Sequence, residues 1–368
     1  MSSPSSEAVK AFAGRIGEIV DNGFLCLALG LGHKLKLFDV LGAAATDSET
    51  AITSQQLADK AGLRERYIRE WLGAMVCGQI VEASEDGQRF WLPPERLPAL
   101  AQGTRSAMGY GSFLSTFGRV SEDIPACFTH DGPPGLGYDY YENFYDFMDG
   151  VSANRQKLHL LQDLIPAVPG LTSQLEAGIE ILDIGCGSGL PSRLIAEQYR
   201  NSQCWGIDFN EAGITRARKE AGTLNNLHYE LMDAADLAKD WSAKFAFVTA
   251  FDAIHDQAYP EKSLKEIVRV LKPGGVFLMW DIKGTSNPKA DLEQMKSGGN
   301  PMPGMCYTVS LLHCMPVSLA HPNGTGLGAM WGQQKAREML AAAGFVQVEE
   351  VDPDWDSFNC FYIARKPI

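Results

Sequence analysis

The stretch Ile181-Leu-Asp-Ile-Gly-Cys-Gly-Ser-Gly189 decides how this chain is read. Ile181-Leu-Asp-Ile184 reads as a short buried strand. Gly185, Gly187 and Gly189 then predict a tight turn, where the backbone bends sharply and a Cβ would collide with an approaching ligand. Leu190–Tyr199 is the helix that this turn feeds. The first N–H groups of a helix have no partner inside it, so they can face an anionic group. Strand, glycine turn and helix form the first unit of a doubly wound, nucleotide-binding sheet.

The spacing narrows the choice of nucleotide. A dinucleotide loop needs glycine at its first, third and sixth positions. Counted from Gly185, the sixth position here is Leu190. The pattern is Gly-x-Gly-x-Gly, with Asp183 two residues ahead of it. It resembles motif I of the class I S-adenosylmethionine-dependent methyltransferases. The bland alternative is a tight turn in any α/β protein, and the residues that follow weigh against it.

Gln203–Ile207 is a second apolar strand, and Asp208 ends it 19 residues after Gly189. That is near the ~20-residue offset at which a carboxylate meets ribose hydroxyls. A carboxylate accepts two hydrogen bonds at once, which suits a vicinal diol. Glu211–Glu220 reads as a helix, and Leu227–Met232 as a third strand ending at Asp233-Ala234. Phe245–Phe251 is a fourth strand that runs into Asp252-Ala-Ile-His-Asp256. Leu271-Lys-Pro-Gly-Gly275 makes a turn before a fifth strand, Val276–Trp280. Phe345–Val351 and Phe358–Ala364 form a last antiparallel pair. The expected fold is therefore α/β, a Rossmann-like doubly wound sheet of the class I methyltransferase type with an antiparallel last strand. The resemblance implies S-adenosyl-L-methionine as cofactor, held by Asp183, Gly185, Cys186, Gly187, Gly189, Asp208, Phe209, Asp233, Ala234, Phe251 and Asp252. It also implies that the acid at Asp233 meets the adenine amino group.

Composition bounds the rest. The 368 residues suffice for two or three domains, and 45% are hydrophobic, enough for full cores. The longest apolar run, Phe24–Gly32, is short and broken by glycine, so no membrane association is expected. Met1–Glu7 lacks the basic and apolar regions of a signal peptide, and a cytoplasmic location is expected. The eight cysteines are scattered without a Cys-x-x-Cys pair, so reduced thiols and no metal site are expected. A net charge of −13 opposes a broad phosphate-binding surface and hence a nucleic-acid partner.

Before the glycine turn, residues 8–41 read as helical. Phe12, Ile16, Val20, Phe24 and Leu27 recur at helical spacing, and Leu35, Leu37, Phe38 and Leu41 are expected to face inward. Thr53–Gly62 and Leu63–Val76 predict two helices, followed by a hairpin of Ile80–Ser84 and Gln88–Leu92. Helix, turn, helix and a two-stranded wing make an α-rich winged-helix domain over 1–98. Such a domain can bind DNA. Through Leu100, however, ten Lys and Arg stand against thirteen Asp and Glu. A DNA-reading helix gains from counterion release only with excess positive charge, which favours a dimerisation or lid role. Pro93-Pro-Glu-Arg-Leu-Pro98 is a rigid connector. Residues 99–166 form an aromatic-rich helical segment containing Tyr110, Tyr138, Tyr140, Tyr141 and Phe147; these rings either fill a core or wall a pocket. The methyltransferase domain is expected over 167–368.

This layout is similar to that of the caffeate-type O-methyltransferases, and closer still to winged-helix methyltransferases of unassigned substrate. The resemblance implies that the pair Phe147-Met148 lines the methyl-donor pocket and that the protein is a homodimer acting on a small molecule. That family carries His-Asp-Trp after its fourth strand. Here the matching piece is Ile254-His-Asp-Gln257, with Gln257 in place of Trp.

Methyl transfer needs an aligned acceptor and a dry site, because the sulfonium donor is already activated. A hydroxyl acceptor gains from a base working near neutrality, and histidine is the natural choice. The candidates are His313, His255 and His321. The alternatives are a methyl-donor-binding regulator on DNA and an enzyme that uses the same pocket for other chemistry.

Overall fold

The computed structural model describes residues 5–101, 113–141, 144–297 and 299–368, with side chains described throughout except at 113, 115 and 144–151. The chain divides into two units, 1–118 and 119–368.

In the first unit, helix α1 spans Ser6–Lys34 and helix α2 Leu37–Ala44. The expected continuous helix is broken because Lys36 takes a left-handed conformation, φ +58°. That bend turns Leu37, Phe38 and Leu41 into a core with Leu57, Trp71, Leu72 and Met75, while Leu35 stays exposed, against expectation. Phe38 meets Trp71 edge-on at 5.2 Å. Along α1, Phe12, Ile16, Val20, Phe24 and Leu27 form an apolar row exposed to solvent. Helix α3, Ser54–Ala61, opens on a capping box of Thr53 and Gln56 and ends at Gly62. Helix α4, Glu65–Cys77, buries Ile68, Trp71, Leu72 and Met75 at helical spacing. Its Arg66 and Arg69 pair with Glu70 and Glu65 of the same helix. The wing is shorter than expected: strands β1, Glu82–Ala83, and β2, Phe90–Trp91, pair antiparallel over two residues each.

In the second unit, seven strands form one sheet: β3 Glu180–Ile184, β4 Gln203–Asp208, β5 Leu227–Leu231, β6 Phe245–Phe251, β7 Leu271–Ile282, β8 Val346–Val351 and β9 Asn359–Arg365. Their order is β5-β4-β3-β6-β7-β9-β8. Strands β3 to β7 run parallel, and β9 lies antiparallel between β7 and β8. The central strands are buried on both faces, as parallel sheets covered by helices are. The order reverses between β3 and β6, so the crevice beyond their carboxyl ends is where such a sheet binds ligands.

Helices Leu190–Gln198 and Glu211–Ala221 fall where the spacing puts them, and Gln333–Ala343 precedes β8. Pro260–Val270 is a further helix, seating Leu264, Ile267 and Val270 on the sheet. Upstream, helix Phe144–His159 runs into a π-helical turn, Leu160–Leu164, that buries Leu160 and Leu164. The polar insertion 283–304 reads in sequence as a mobile lid or insertion; it contains the helix Pro288–Lys296. The Asp291 carboxylate knits it together, accepting from Thr285 N at 2.8 Å and from the Tyr307 hydroxyl at 2.7 Å. Among the described residues no helix is long and apolar enough to cross a membrane.

Candidate active site

Gly185, Gly187 and Gly189 take φ of +65°, +53° and +80° after β3. The last has no room for a side chain either, since a Cβ would sit 2.2 Å from the Tyr229 hydroxyl. Tyr229 donates to Gly189 O at 2.7 Å and so fixes the loop from behind.

Several N–H groups of the loop are turned inward. Cys186 N donates to Ile207 O, Gly189 N to Cys186 O, and Gly187 N to Asp208 Oδ2 at 3.0 Å. Pro191, in the first helical turn, has no N–H to offer. Three of the loop's N–H groups are thus engaged by the protein itself. What the loop presents is acid. Asp183, 1% exposed, accepts from Thr249 Oγ1 at 2.8 Å, while its Oδ2 is buried without a hydrogen-bond partner. Burial, aided by the nearby charge of Asp208, raises its pKa to about 7 against the hydrogen bonds it receives. Asp208 ends β4 and also accepts from Asn210 N at 2.9 Å. An acidic mouth with an orphan buried oxygen fits a ligand that brings N–H and hydroxyl donors and positive charge.

The other expected donor-site residues fall around this mouth or elsewhere. Phe209 is half-exposed beside Asp208. Asp233, exposed after β5, accepts from Ala235 N, and Ala234 is half-buried. Phe251 closes β6 and meets Trp280 edge-on at 5.9 Å. The side chains of Phe147 and Met148 lie outside the described residues. Asp252 takes φ +50° at the end of β6, and protein partners hold its carboxylate. Oδ2 accepts from Arg155 at 2.8 Å and Oδ1 from Asn359 Nδ2. Arg155 also donates to Asn359 Oδ1 at 2.6 Å, pairs with Asp356 at 3.4 Å and lies 4.5 Å over the Trp280 ring. This cluster ties the helix Phe144–His159 to the carboxyl end of β6. Sequence reading passed over Arg155, because no local pattern marks a partner about a hundred residues away.

The three histidines differ. His255, 3% exposed, donates from Nδ1 to Asp281 Oδ1 at 2.8 Å. The same oxygen accepts from Ile282 N at 2.8 Å and Trp331 Nε1 at 3.3 Å. Burial would push this imidazole down, but the Asp281 carboxylate outweighs it and holds the pKa well above the ordinary value. The pairing with Asp281 thus favours the protonated imidazole. His313 sits in a second π-helical turn, Ser310–Cys314, and is buried. Burial, reinforced by the charge on His255, lowers it to about 3 and keeps it neutral. Its ring meets Tyr141 at 4.7 Å and Tyr138 at 5.6 Å. His321 is exposed, 6.0 Å from the Phe209 ring. Asp256, next to His255, accepts from the Tyr138 hydroxyl at 3.0 Å. Burial raises it to about 6, against the pull of His255 and Tyr138.

Residues 175–344 match a family model described as a methyltransferase domain, and residues 23–102 one described as an Rv2258c-like winged HTH domain. The chain thus carries both domains. A demethylmenaquinone methyltransferase of Leptospira interrogans is 28% identical over 152 residues, 40% of this chain and 58% of that protein. A ubiquinone biosynthesis O-methyltransferase of Pseudomonas fluorescens is 33% identical over 119 residues, 32% of this chain and 49% of that protein. The chain thus spans about half the length of the curated relatives it matches. An O-methyltransferase family protein from Burkholderia thailandensis superposes with a TM-score of 0.62 at 14% identity, covering 100% of this chain and 99% of that one. Human N-acetylserotonin methyltransferase, solved in complex with SAM, gives 0.59 at 14% identity and covers all of both chains.

Proposed function

We propose that this chain, a class I methyltransferase fold joined to a winged-helix domain, transfers a methyl group from S-adenosylmethionine to a small molecule, with a hydroxyl oxygen as acceptor. One observation carries the reading: the acidic glycine loop, with the orphan Asp183 oxygen beneath it and Asp208 beside it. A nucleotide bearing an ammonium, a sulfonium and a ribose diol complements that mouth, and a pyrophosphate does not. The bound donor supplies an activated methyl group. Asp183 and the loop Gly185, Cys186, Gly187 and Gly189 would hold its amino-acid end. Asp208 would accept from the ribose, Asp233 and Ala234 would border the base, and Phe209 and Phe251 would shield it from water.

On the acceptor side, neutral His313, packed against Tyr138 and Tyr141, would wall the pocket that takes the hydroxyl. His255, charged and sealed behind Asp281, would favour negative charge growing on that oxygen. The exposed row on α1 suits a second copy of the chain, so a homodimer belongs to the same proposal. A DNA-reading regulator is disfavoured by a winged domain with more acids than bases, whose Arg66 and Arg69 already pair within α4.

The test is calorimetric titration with S-adenosylhomocysteine, followed by release of that product from S-adenosylmethionine with a panel of catechols and hydroquinones. Saturable binding is expected. No heat and no protection from thermal unfolding at millimolar ligand would sink the donor assignment. Transfer only to amines or thiols would sink the hydroxyl assignment alone.

A further inference from the structure

Two histidines and an aspartate stand near the expected acceptor, and the histidines are poor proton acceptors at neutral pH. His255 already carries its proton on the Asp281 side. His313 lies among the Tyr138 and Tyr141 rings next to that cation, which opposes a second positive charge. The third is Asp256, which follows β6 at the carboxyl edge and accepts from the Tyr138 hydroxyl.

Tyr138 is built into place. A Cβ on Gly135 would lie 2.1 Å from Pro316 O, so only glycine lets this segment approach the helix Met315–Leu319 so closely. Leu136 N donates to Pro316 O at 3.1 Å, and the Tyr141 hydroxyl donates to Leu312 O at 2.7 Å. Between these anchors the Tyr138 ring meets Phe209 edge-on at 5.3 Å and His313 at 5.6 Å. Its hydroxyl therefore bridges the wall beside Asp208 and the Asp256 carboxylate.

We infer that Asp256 receives the acceptor's proton through the Tyr138 hydroxyl. This rests on the hydroxyl reading above. The acceptor O–H gives its proton to Tyr138 Oη while Tyr138 passes its own to Asp256 Oδ2. The acceptor oxygen keeps the electron pair as an oxyanion, and Asp256 becomes a neutral acid that later returns the proton to solvent. The charges facing Asp256 are His255 beside it, Asp281 at the end of β7 and Asp208 at the end of β4. Burial chiefly, and the two acids after it, raise its affinity for the proton, while His255 and Tyr138 lower it; the balance is about 6, suited to a base at neutral pH.

The experiment uses the full chain and three variants, Asp256→Asn, Asp256→Glu and Tyr138→Phe, each close to the native shape. With a phenol from the panel, the native rate should rise with pH through about 6 and level off above it. Asp256→Asn should lose roughly 10²-fold in kcat and flatten that rise. Tyr138→Phe should lose roughly 10-fold, and Asp256→Glu should recover part of the rate. S-adenosylhomocysteine affinity should stay within about 2-fold in all three, about 0.4 kcal/mol. An Asp256→Asn rate within 3-fold of native, or a pH rise that survives it, overturns the inference and leaves the methyltransferase reading standing. If no panel phenol is turned over, ¹³C NMR of labelled aspartate in the homocysteine complex decides. A carboxyl lost in Asp256→Asn that titrates near 6 and shifts in Tyr138→Phe supports the relay; one that does not titrate between 5 and 7 overturns it. Absence of cofactor binding by the native chain fails the parent reading instead.

Discussion

The two ends of the seven-stranded sheet are built from the same strands and treat charge in opposite ways. At the amino end, Lys244 lies 3.6 Å over the Trp205 ring and 4.9 Å from that of Trp241, and Trp205 Nε1 donates to Glu180 at 2.8 Å. Lys244 is half-exposed, so water still shares the work of solvating it. At the carboxyl end, Asp183, Asp208, Asp252, Asp256 and Asp281 gather with His255 and Arg155, and several are buried. Taking that many acids out of water opposes folding unless partners compensate. A sheet selected for stability alone would not concentrate them at one end. The difference teaches that the carboxyl end is shaped by what it must bind and react, and the amino end by packing.

The sharpest way to break that contrast is Arg155→Met. It removes the cation that pairs with Asp252 and Asp356 and should cost about 3–5 kcal/mol in chemical denaturation. A loss below about 1 kcal/mol would mean these acids carry no strain, because exposed pairs are worth that little. Next in size is Asp208→Ala, which should weaken S-adenosylhomocysteine binding by about 1–3 kcal/mol in calorimetry by leaving ribose donors unpaired.

Asp183→Asn sharpens the contrast through pH. Its folded pKa, about 7, lies above the ordinary 3.8, so the folded state prefers the protonated acid. That contribution to stability is fully present below about 4 and is lost as pH rises through about 7. Asparagine never ionises, so the variant should melt roughly 2–4 °C above the parent at pH 8 and close to it at pH 4. A gap that does not grow with pH would contradict the raised pKa. The smallest effect belongs to the amino end: Lys244→Met should cost about 0.5–1 kcal/mol and leave cofactor affinity unchanged.

How much of this was legible in sequence depends on whether a residue's reason is local. The glycine loop was readable because positive φ and contact with Tyr229 admit nothing but glycine. Asp208 was readable because strand length fixes its offset. The break at Lys36 was not, since a lysine in the left-handed region leaves no mark and apolar spacing runs through it. The same spacing points Leu35 inward, whereas the bend leaves it exposed. The two π-helical turns were equally silent, although one of them carries His313 into the interior. Asp252 was legible as a position but not as a role, because Arg155 and Asn359 lie about a hundred residues away on either side. Asp281 went unnoticed inside the run Phe277–Ile282, where nothing nearby announces that His255 will lean on it.

Asp183 has one more consequence. Burial raises its pKa to about 7, so it holds its proton to far higher pH than an ordinary aspartate does. A cationic guest above it would select the ionised state and expel the proton into the medium. The heat of binding would then include the ionisation enthalpy of whatever buffer catches that proton. Measured in phosphate and again in Tris, the same association would give two different heats, and their difference would count the fraction of a proton displaced.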